Sequence, residues 1–168
     1  GNVVGSRGSV VPYFQSLIDN GADHMPITHP DMTRFWITLQ QGVEFVLNSM
    51  KQMQGGEIFV PKLPSIRITD LAQAMAPDLP TKITGIRPGE KIHEVMCPVD
   101  DARQTLEFDD HFVIMPAIKF WETNINYKEN SSGGVGRAVP EGFEYQSGSN
   151  PDFLTGEQIL EYNRLSVL

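Results

Sequence analysis

The sequence predicts an α/β or α+β fold built from short helices and strands that alternate along the chain. Patterns typical of amphipathic helices alternate with short β-prone runs, which is the main signal for this class. The fifteen glycines and twelve prolines lie mostly between apolar runs, so we expect many tight connections. With 168 residues, of which 40% are hydrophobic and 20% charged, the chain is long enough to build a core.

The first elements are a strand end and two amphipathic helices. Residues 1–6 resemble the end of a strand that runs into a loop, as in a chain cut within an element. Ser9 is placed to cap a helix that stops at Gly21, and Thr38 with Gln41 forms a capping-box pattern ahead of a second helix. Apolar residues at three-and-four spacing mark one face of each helix: Val10, Val11, Phe14, Leu17 and Ile18, then Leu39, Val43, Val46, Leu47 and Met50.

The middle of the chain continues the alternation. A β-prone run over 57–61 closes with a proline, and Thr69 opens a helix that ends before Pro77. Residues 81–86 predict a strand, and 88–96 predict a short helix that is entered with a proline and carries an acid in its first turn.

Beyond residue 100 the pattern is sparser. Residues 106–114 are strand-like, residues 116–150 are mostly loop, and 131–136 have the composition of a flexible loop. Thr155 with Gln158 caps a last helix.

Composition and charge exclude several classes of protein. The net charge of -8 argues against a surface that binds nucleic acid or anionic membranes, so any anion site must be local. Cys97 is the only cysteine, which excludes an internal disulfide and a cysteine zinc site and fits a cytoplasmic protein. The pairs at 100–101 and 109–110 lack metal-loop spacing, so we propose no metal. No apolar run approaches the roughly 20 residues of a membrane-spanning helix, and the N-terminus has no signal-peptide layout.

The glycine-rich segment over residues 2–11 is the first candidate site. Gly5 and Gly8 flank Ser6 and Arg7 just ahead of a helix N-terminus, where backbone N–H groups and the helix dipole favour an anion. An ordinary capped turn explains the same residues.

Arg34 is the second candidate, because it lies among apolar and aromatic residues shortly before a helix cap. A guanidinium in such surroundings needs an anionic partner. A bound phosphate and a structural carboxylate both satisfy that requirement, and the sequence leaves both open.

Arg87 is the third candidate. It follows the strand predicted over 81–86 and precedes a Pro-Gly turn, which would place it at a strand end where ligands of α/β sheets bind. The alternative is a turn arginine paired with Glu90. His93 has no identifiable nucleophile beside it, so we interpret it as a helix-surface residue.

Four aromatic residues have the chemistry to stack on a nucleotide base, although residues with this spacing are more often part of a core. They are Phe35, Trp36, Phe59 and Trp121.

Four segments in order resemble one known family. They are GNVVGSRGSVVP at 1–12, MTRFWIT at 32–38, GEIFVPK at 56–62 and RPGEK at 87–91. Together they are similar to the inverting UDP-N-acetylglucosamine 4,6-dehydratases, CapD-like polysaccharide biosynthesis proteins of the extended short-chain dehydrogenase/reductase family. The likeness is strong over residues 1–116 and looser beyond.

This resemblance implies an α/β fold that is the C-terminal, substrate-binding portion of a Rossmann-like enzyme whose Rossmann core is mostly absent here. Residues 1–116 would bind the nucleotide sugar and retain some sheet elements of the Rossmann half. Residues 117–168 would form a loop-rich tail that ends in a helix. Because the family's sheet begins in the other half, we also expect exposed apolar surface on this chain.

The family's chemistry belongs to the half that this sequence lacks. NADP would be held there by a glycine-rich loop, next to a Tyr-x-x-x-Lys pair, and neither motif occurs here, since Tyr127-Lys128 lacks the spacing. The reaction converts the UDP-sugar to a 4-keto-6-deoxy product with inversion at C5. The resemblance therefore implies no catalytic residue and no cofactor on this chain, which would be inactive alone, and a full-length protein that forms homo-oligomers.

The resemblance assigns this chain to binding UDP-N-acetylglucosamine or a related UDP-sugar. Two alternatives remain open, namely a fragment of a UDP-sugar epimerase of the same family and a non-catalytic UDP-sugar-binding module. The implied substrate-binding residues are Asn2, Arg7, Gly8, Ser9, Val10, Val11, Arg34, Arg87, Pro88, Gly89 and Glu90.

Overall fold

The computed structural model describes residues 2–118 and 125–166. They form two compact units that interleave in sequence. Unit 1 comprises Gly1–Gly42, Leu63–Glu94 and Ser147–Leu168, and unit 2 comprises Val43–Lys62 and Val95–Gln146.

Unit 1 contains two small sheets and three helices. The larger sheet has the strand order β1-β3-β5, with β1 parallel and β5 antiparallel to the central strand: β1 Asn2–Val3, β3 Thr33–Ile37 and β5 Ser65–Arg67. The smaller sheet is a parallel pair, β2 Met25–Ile27 and β6 Thr81–Ile83. The helices are α1 Val10–Asp19, α3 Ile68–Met75 and α4 Gly156–Leu165.

The core of unit 1 lies between its larger sheet and its helices. Trp36 from β3, Phe14 from α1, Leu71 from α3 and Ile159 from α4 are all buried in one apolar cluster. Each fully buried large apolar side chain contributes about 1.5 to 3 kcal/mol to the free energy of folding. This cluster therefore fixes β3, the strand that carries Arg34.

Unit 2 is built on a four-stranded antiparallel sheet of order β10-β8-β9-β4. Its strands are β4 Ile58–Pro61, β8 Thr105–Glu107, β9 His111–Ile114 and β10 Arg137–Ala138. A second pair joins β7 Val95–Cys97 to β11 Tyr145–Gln146, and a 3₁₀ helix spans Val99–Gln104. Inside unit 2 the ring of His111 stacks on Phe108, with centroids 4.7 Å apart.

The helix α2, Leu39–Gln52, begins in unit 1 and belongs to unit 2 from Val43 onward. The predicted capping box is present, because Gln41 N–H donates to Thr38 Oγ1 and Thr38 N–H donates to Gln41 Oε1. None of its residues is buried. Val46 and Met50 are exposed, so the expectation of exposed apolar surface is confirmed for this helix.

One sequence prediction over the second half of the chain is wrong. Residues 88–96 do not form a helix but a turn and a bend that lead into β7. Backbone N–H groups there bond to other parts of the chain, as when Glu94 N–H donates to Ser147 Oγ, so the helical ladder is not formed. Residues 106–114, predicted to be strand-like, form a hairpin of β8 and β9, and 109 and 110 are the turn between the two strands.

Other boundaries differ by a few residues. The strand predicted over 81–86 ends at Ile83, and α3 begins at Ile68, one residue before Thr69. The last helix has both bonds of its capping box between Thr155 and Gln158.

The division of the chain at residue 116 is a functional division and stays a prediction.

Among the described helices, none combines the length and the apolar character that a bilayer-spanning segment needs.

Candidate functional site

Unit 1 contains a cleft of about 1040 Å³, which is at the upper end of the sizes common for ligand sites. Among the segments that border it are the loop between β1 and α1, the strand β3, and the turn that follows β6. From the predicted site residues it gathers Gly8, Ser9, Val10, Arg34, Arg87 and Glu90.

The loop between β1 and α1 brings a helix N-terminus to the cleft. Ser9 is the N-cap residue of α1, but its side chain makes no capping hydrogen bond, and its hydroxyl has no partner within the described residues. The first N–H groups of a helix have no partner inside the helix. The loop therefore presents backbone donors and the positive end of the helix dipole, which together favour an anion.

Arg34 is held in one orientation by the fold. Its side chain is only 12% exposed, and its Nε lies 3.3 Å from Oε1 of Glu94. Its Nη1 donates to the carbonyl oxygens of Thr33, at 2.7 Å, and Ile92, at 3.0 Å. Within the described residues Nη2 has no hydrogen-bond partner. The carboxylate partner left open by the sequence is present, and Arg34 also borders the cleft.

A buried hydroxyl network fixes the segment that carries Glu94 against β3. Thr33 Oγ1 lies 2.8 Å from Nδ1 of His93 and 2.7 Å from Oγ of Ser147. Next to Ser147, a Cβ on Gly148 would lie only 2.5 Å from Nδ1 of His93. This close approach requires glycine at 148. His93 therefore lies in a bend, not on a helix surface, and has a structural partner.

The turn that follows β6 presents Arg87 to the cleft in a different way. Glu90 N–H donates to the carbonyl of Arg87, and Arg87 N–H donates to Oε2 of Glu90 at 3.1 Å. Gly89 has a φ of 81°, a value that favours glycine. The predicted pairing with Glu90 is thus made by the backbone of Arg87. The exposed guanidinium has no partner in the described part of the chain.

The remaining predicted site residues are not among those that border the cleft. Arg7 is exposed on the loop before α1, Val11 is half-buried in α1, and Pro88 and Gly89 form the turn beside Arg87. Asn2 lies in β1, but its side chain is outside the described residues. Arg87 does not stand at a strand end, because β6 stops four residues earlier.

Sequence reasoning did not predict several residues that border the cleft, among them Tyr13, Pro26, Thr28, Met32 and Ile68. Met32 opens the segment MTRFWIT but was not selected from it, and the other four carry no local motif, so only the folded chain reveals them. Of the four aromatic candidates, Trp36 borders the cleft but is 1% exposed and in the core, and Phe35 is also buried. Phe59 is half-buried in unit 2, and Trp121 is outside the described residues.

Comparison with known protein families decides the family of this chain. The model of the family described as "Polysaccharide biosynthesis protein" matches residues 1–116. The chain belongs to this family. The inverting UDP-N-acetylglucosamine 4,6-dehydratase of Campylobacter jejuni is 52% identical to it over 161 residues, which is 96% of this chain and 48% of the relative.

One further relative and one solved structure are also similar to this chain. A UDP-glucose 4-epimerase of Rickettsia canadensis is 36% identical over 118 residues, covering 68% of this chain and 34% of the epimerase. The solved structure of Pen from Bacillus thuringiensis matches with a TM-score of 0.76 and 29% identity, covering 99% of this chain and 49% of Pen. The mixed α/β fold therefore has a known counterpart, and the chain spans about half the length of the relatives that it matches most fully.

Proposed function

We propose that this polypeptide is the substrate-binding part of a UDP-N-acetylglucosamine 4,6-dehydratase that inverts C5, and that the cleft of unit 1 binds the UDP-sugar. The observation that carries the proposal is the meeting of a helix N-terminus with Arg34 and Arg87 around one cleft of about 1040 Å³. The identity of 52% to a dehydratase supports this choice of reaction. The product would be a 4-keto-6-deoxy UDP-sugar for bacterial surface polysaccharide or flagellin glycan synthesis.

A diphosphate fits the donors of this cleft. Two phosphates need several N–H donors, and charge-assisted hydrogen bonds to a guanidinium are roughly twice as strong as neutral ones. The N–H groups on Nη2 of Arg34 make no hydrogen bond within the described residues, so they are available to a phosphate. Glu94 already holds the guanidinium in one orientation. The N-terminus of α1 adds backbone donors on a second side, where Gly8 and Ser9 border the cleft. In this proposal Asn2, Arg7, Val10 and Val11 support the same loop.

Arg87 and Glu90 have separate roles in the proposal. Arg87 contacts the diphosphate from the exposed turn that Pro88 and Gly89 form. A carboxylate close to phosphate is unfavourable, so Glu90 accepts from a ribose hydroxyl and orients Arg87 through the backbone bond at 3.1 Å.

The nicotinamide cofactor of the proposed enzyme, NADP, would bind outside this chain. The loop between β1 and α1 carries Gly5 and Gly8, which is not the spacing of a dinucleotide-binding loop. The cofactor and the catalytic residues would come from a further half, with which the protein would act as a homo-oligomer in the cytoplasm. The 168 residues alone would bind substrate without turning it over.

A UDP-sugar epimerase is the second candidate, because an epimerase matches 68% of this chain at 36% identity. The two reactions differ in mass balance, since a dehydratase product has lost one water and an epimerase product is an isomer. Mass spectrometry of UDP-N-acetylglucosamine incubated with the natural protein that contains this sequence together with its own catalytic residues separates them. A product of unchanged mass would assign the epimerase reaction.

The first test is a calorimetric titration of UDP-N-acetylglucosamine into the purified 168-residue chain. We expect saturable binding that Arg34→Ala and Arg87→Ala each weaken by about 1.5 to 3 kcal/mol, the scale of hydrogen bonds to charged groups. Arg103→Ala is the matched control, because Arg103 is an exposed arginine of unit 2 that is paired with Glu141. Equal affinity in all three variants, or no binding by a folded chain, would remove the proposed site.

A further inference from the structure

The indole N–H of Trp36 is a buried donor that the fold leaves without a partner at the border of the cleft. Trp36 is 1% exposed, it borders the cleft of unit 1, and its Nε1 has no hydrogen-bond partner within the described residues. A buried tryptophan N–H usually has a partner, because a donor without one is costly to bury. The hydroxyl of Ser9 is also buried without a partner at this cleft, but it lies at the helix N-terminus that is already assigned to the diphosphate. The Trp36 donor is therefore the one to which the proposed function gives no role so far.

Trp36 lies on the same side of β3 as Arg34. Successive side chains of a strand point to opposite faces, so alternate residues share one face. Met32, Arg34 and Trp36 alternate in this way and all border the cleft, whereas Thr33 and Phe35 are not among the residues that border it. The Cα atoms of Arg34 and Trp36 are thus about 6.6 Å apart along the strand, at two residues of about 3.3 Å each. A ligand whose phosphate contacts Arg34 therefore has its next chemical group beside either Trp36 or Met32.

The two ends of β3 meet different parts of unit 1. At its beginning, the strand donates an N–H to the carbonyl oxygen of Ile92, in the segment that follows the turn of Arg87 and Glu90. At its end, Trp36 is paired with Asn2 of the parallel strand β1. Arg87 and Glu90 are assigned to the diphosphate and the ribose, so the nucleotide lies toward the beginning of the strand. The sugar of a UDP-sugar is on the other side of its diphosphate, which places it beside Trp36.

The surroundings of the indole N–H select a small neutral acceptor. Indole Nε1 is only a donor, so its partner must present a lone pair. Trp36 belongs to an apolar cluster with Phe14, Met32 and Ile68, which also border the cleft, so a charged oxygen would lose its hydration there. Because Trp36 is nearly covered, a ring does not reach its Nε1, but a small group does when the flexible side chain of Met32 gives way. An amide carbonyl that carries a methyl group satisfies these conditions.

We propose that Trp36 is the residue that selects an N-acetylated sugar, and that its Nε1–H donates to the carbonyl oxygen of the acetamido group. The inference rests on the proposed function, whose substrate carries this group on the sugar carbon next to the one that bears the diphosphate. Residues 34 and 36 follow each other on the strand face in the same order. UDP-glucose, which the name of the epimerase relative contains, has a shorter hydroxyl there that does not reach the covered donor. A site that hydrogen-bonds a substrate group rejects the analogue that lacks it.

Nitrogen-edited NMR of the unaltered 168-residue chain observes this donor directly. The chain has two tryptophans, Trp36 and Trp121, and each gives one indole N–H resonance. Trp36→Phe identifies its resonance by removing it, and Trp121→Phe identifies the other one if Trp36→Phe does not fold. UDP-N-acetylglucosamine should shift the Trp36 resonance downfield, as expected when the N–H gains an acceptor. UDP-glucose and UDP should leave the resonance near its position in the free chain.

Calorimetry with the same three ligands measures the effect on selectivity. The unaltered chain should bind UDP-N-acetylglucosamine roughly tenfold or more tightly than UDP-glucose, which is the scale of one hydrogen bond to a buried donor. Trp36→Phe keeps an aromatic ring in the core and removes the donor, so it should abolish most of this preference, while the affinity for UDP changes much less. Ile66→Val is the matched control, because Ile66 is buried in the same cluster, does not border the cleft and should keep the preference.

The outcomes separate the role of Trp36 from the proposed nucleotide site. If Arg34→Ala weakens UDP binding but the Trp36 resonance does not respond to UDP-N-acetylglucosamine, the nucleotide site stands and the role of Trp36 is overturned. A preference for the N-acetylated sugar that Trp36→Phe retains overturns it as well. A resonance that UDP alone shifts to the same extent also overturns it, since the donor then serves the diphosphate. No binding of UDP by the folded chain removes both the site and the role of Trp36.

Discussion

Arg34 and Arg87 border the same cleft, but the fold treats them differently. The Arg34 guanidinium is nearly buried, paired with Glu94 and bonded to two carbonyls. Arg87 stands on an exposed turn, and only its backbone is held, by Glu90. The Arg34 side of the cleft is therefore already ordered, whereas the Arg87 side chain would lose conformational freedom if it bound a ligand. Mutations on the two sides should therefore affect stability and affinity in different proportions.

The largest expected effect comes from a substitution that disturbs the packing beside the Arg34 side of the cleft. Gly148→Ala places a Cβ 2.5 Å from Nδ1 of His93, the ring atom that is also 2.8 Å from Thr33 Oγ1. Overpacking of this kind lowers the free energy of unfolding by about 1 to 3 kcal/mol, and we expect the upper part of that range with a weaker UDP-sugar affinity. Chemical denaturation and calorimetry measure the two effects. Gly156→Ala is the control, because a Cβ there would make an ordinary contact of 3.6 Å with Cβ of Ala74, and equal losses in both variants would contradict the role of the close approach.

The next largest expected effect is a difference in the free energy of unfolding between the Arg34→Ala and Arg87→Ala variants. Arg34→Ala removes the ion pair with Glu94 and the two bonds to the carbonyl oxygens of Thr33 and Ile92, of which the second keeps only its bond from Thr33 N–H, so it should lower the free energy of unfolding by about 2 kcal/mol. Arg87→Ala should change it by less than about 0.5 kcal/mol, as expected of an exposed residue without a partner. Both variants should lose ligand affinity. A thermal melt of each variant without ligand is the measurement, and equal melting temperatures would remove the distinction between the two sides.

A smaller effect is expected from the hydroxyl network of Thr33, the residue that precedes Arg34 in β3. Thr33→Val removes the oxygen that lies between His93 and Ser147, so Nδ1 of His93 loses this partner and Ser147 Oγ keeps only the bond that it accepts from Glu94 N–H. The expected loss is about 1 to 2 kcal/mol in the free energy of unfolding. Thr33→Ser keeps the hydroxyl and should recover most of it. If the serine variant is no more stable than the valine variant, the oxygen is not the cause.

The smallest effect is expected on the exposed side. Gly89→Ala places an L-residue at a φ of 81° with nothing within 4 Å of the new Cβ, so only backbone strain opposes it. That strain should lower the free energy of unfolding by about 1 kcal/mol. Ligand affinity should fall together with it, because the turn presents Arg87. Calorimetry that finds full affinity at Gly89→Ala would show that the shape of this turn does not matter to binding.

Local signals were sufficient for the helix ends. The capping boxes at Thr38 and Thr155 depend on residues three positions apart, so the sequence alone predicts them, and both are confirmed. The helix predicted over 88–96 failed for the opposite reason. Its N–H groups bond to residues such as Ser147, more than fifty positions away, and no local pattern contains that partner.

The site was predictable in part. The candidates Gly8, Ser9, Arg34, Arg87 and Glu90 were selected from local chemistry and resemblance, and the structure brings them to one cleft. Thr28 and Ile68 also border it, but nothing in their local sequence distinguishes them. Their place depends on the pairing of strands that are distant in the chain.

The sequence by itself determined the alternation of elements, the helix caps at Thr38 and Thr155, the family and the presence of an apolar stripe on α2, because each of these depends on residues that are neighbours in the chain. Only the tertiary structure decided which partner Arg34 has, where the turn of Arg87 lies, and that the stripe of α2 faces outward. The physical reason is that burial and ion pairing are set by contacts between distant segments, and the folded chain alone brings those segments together.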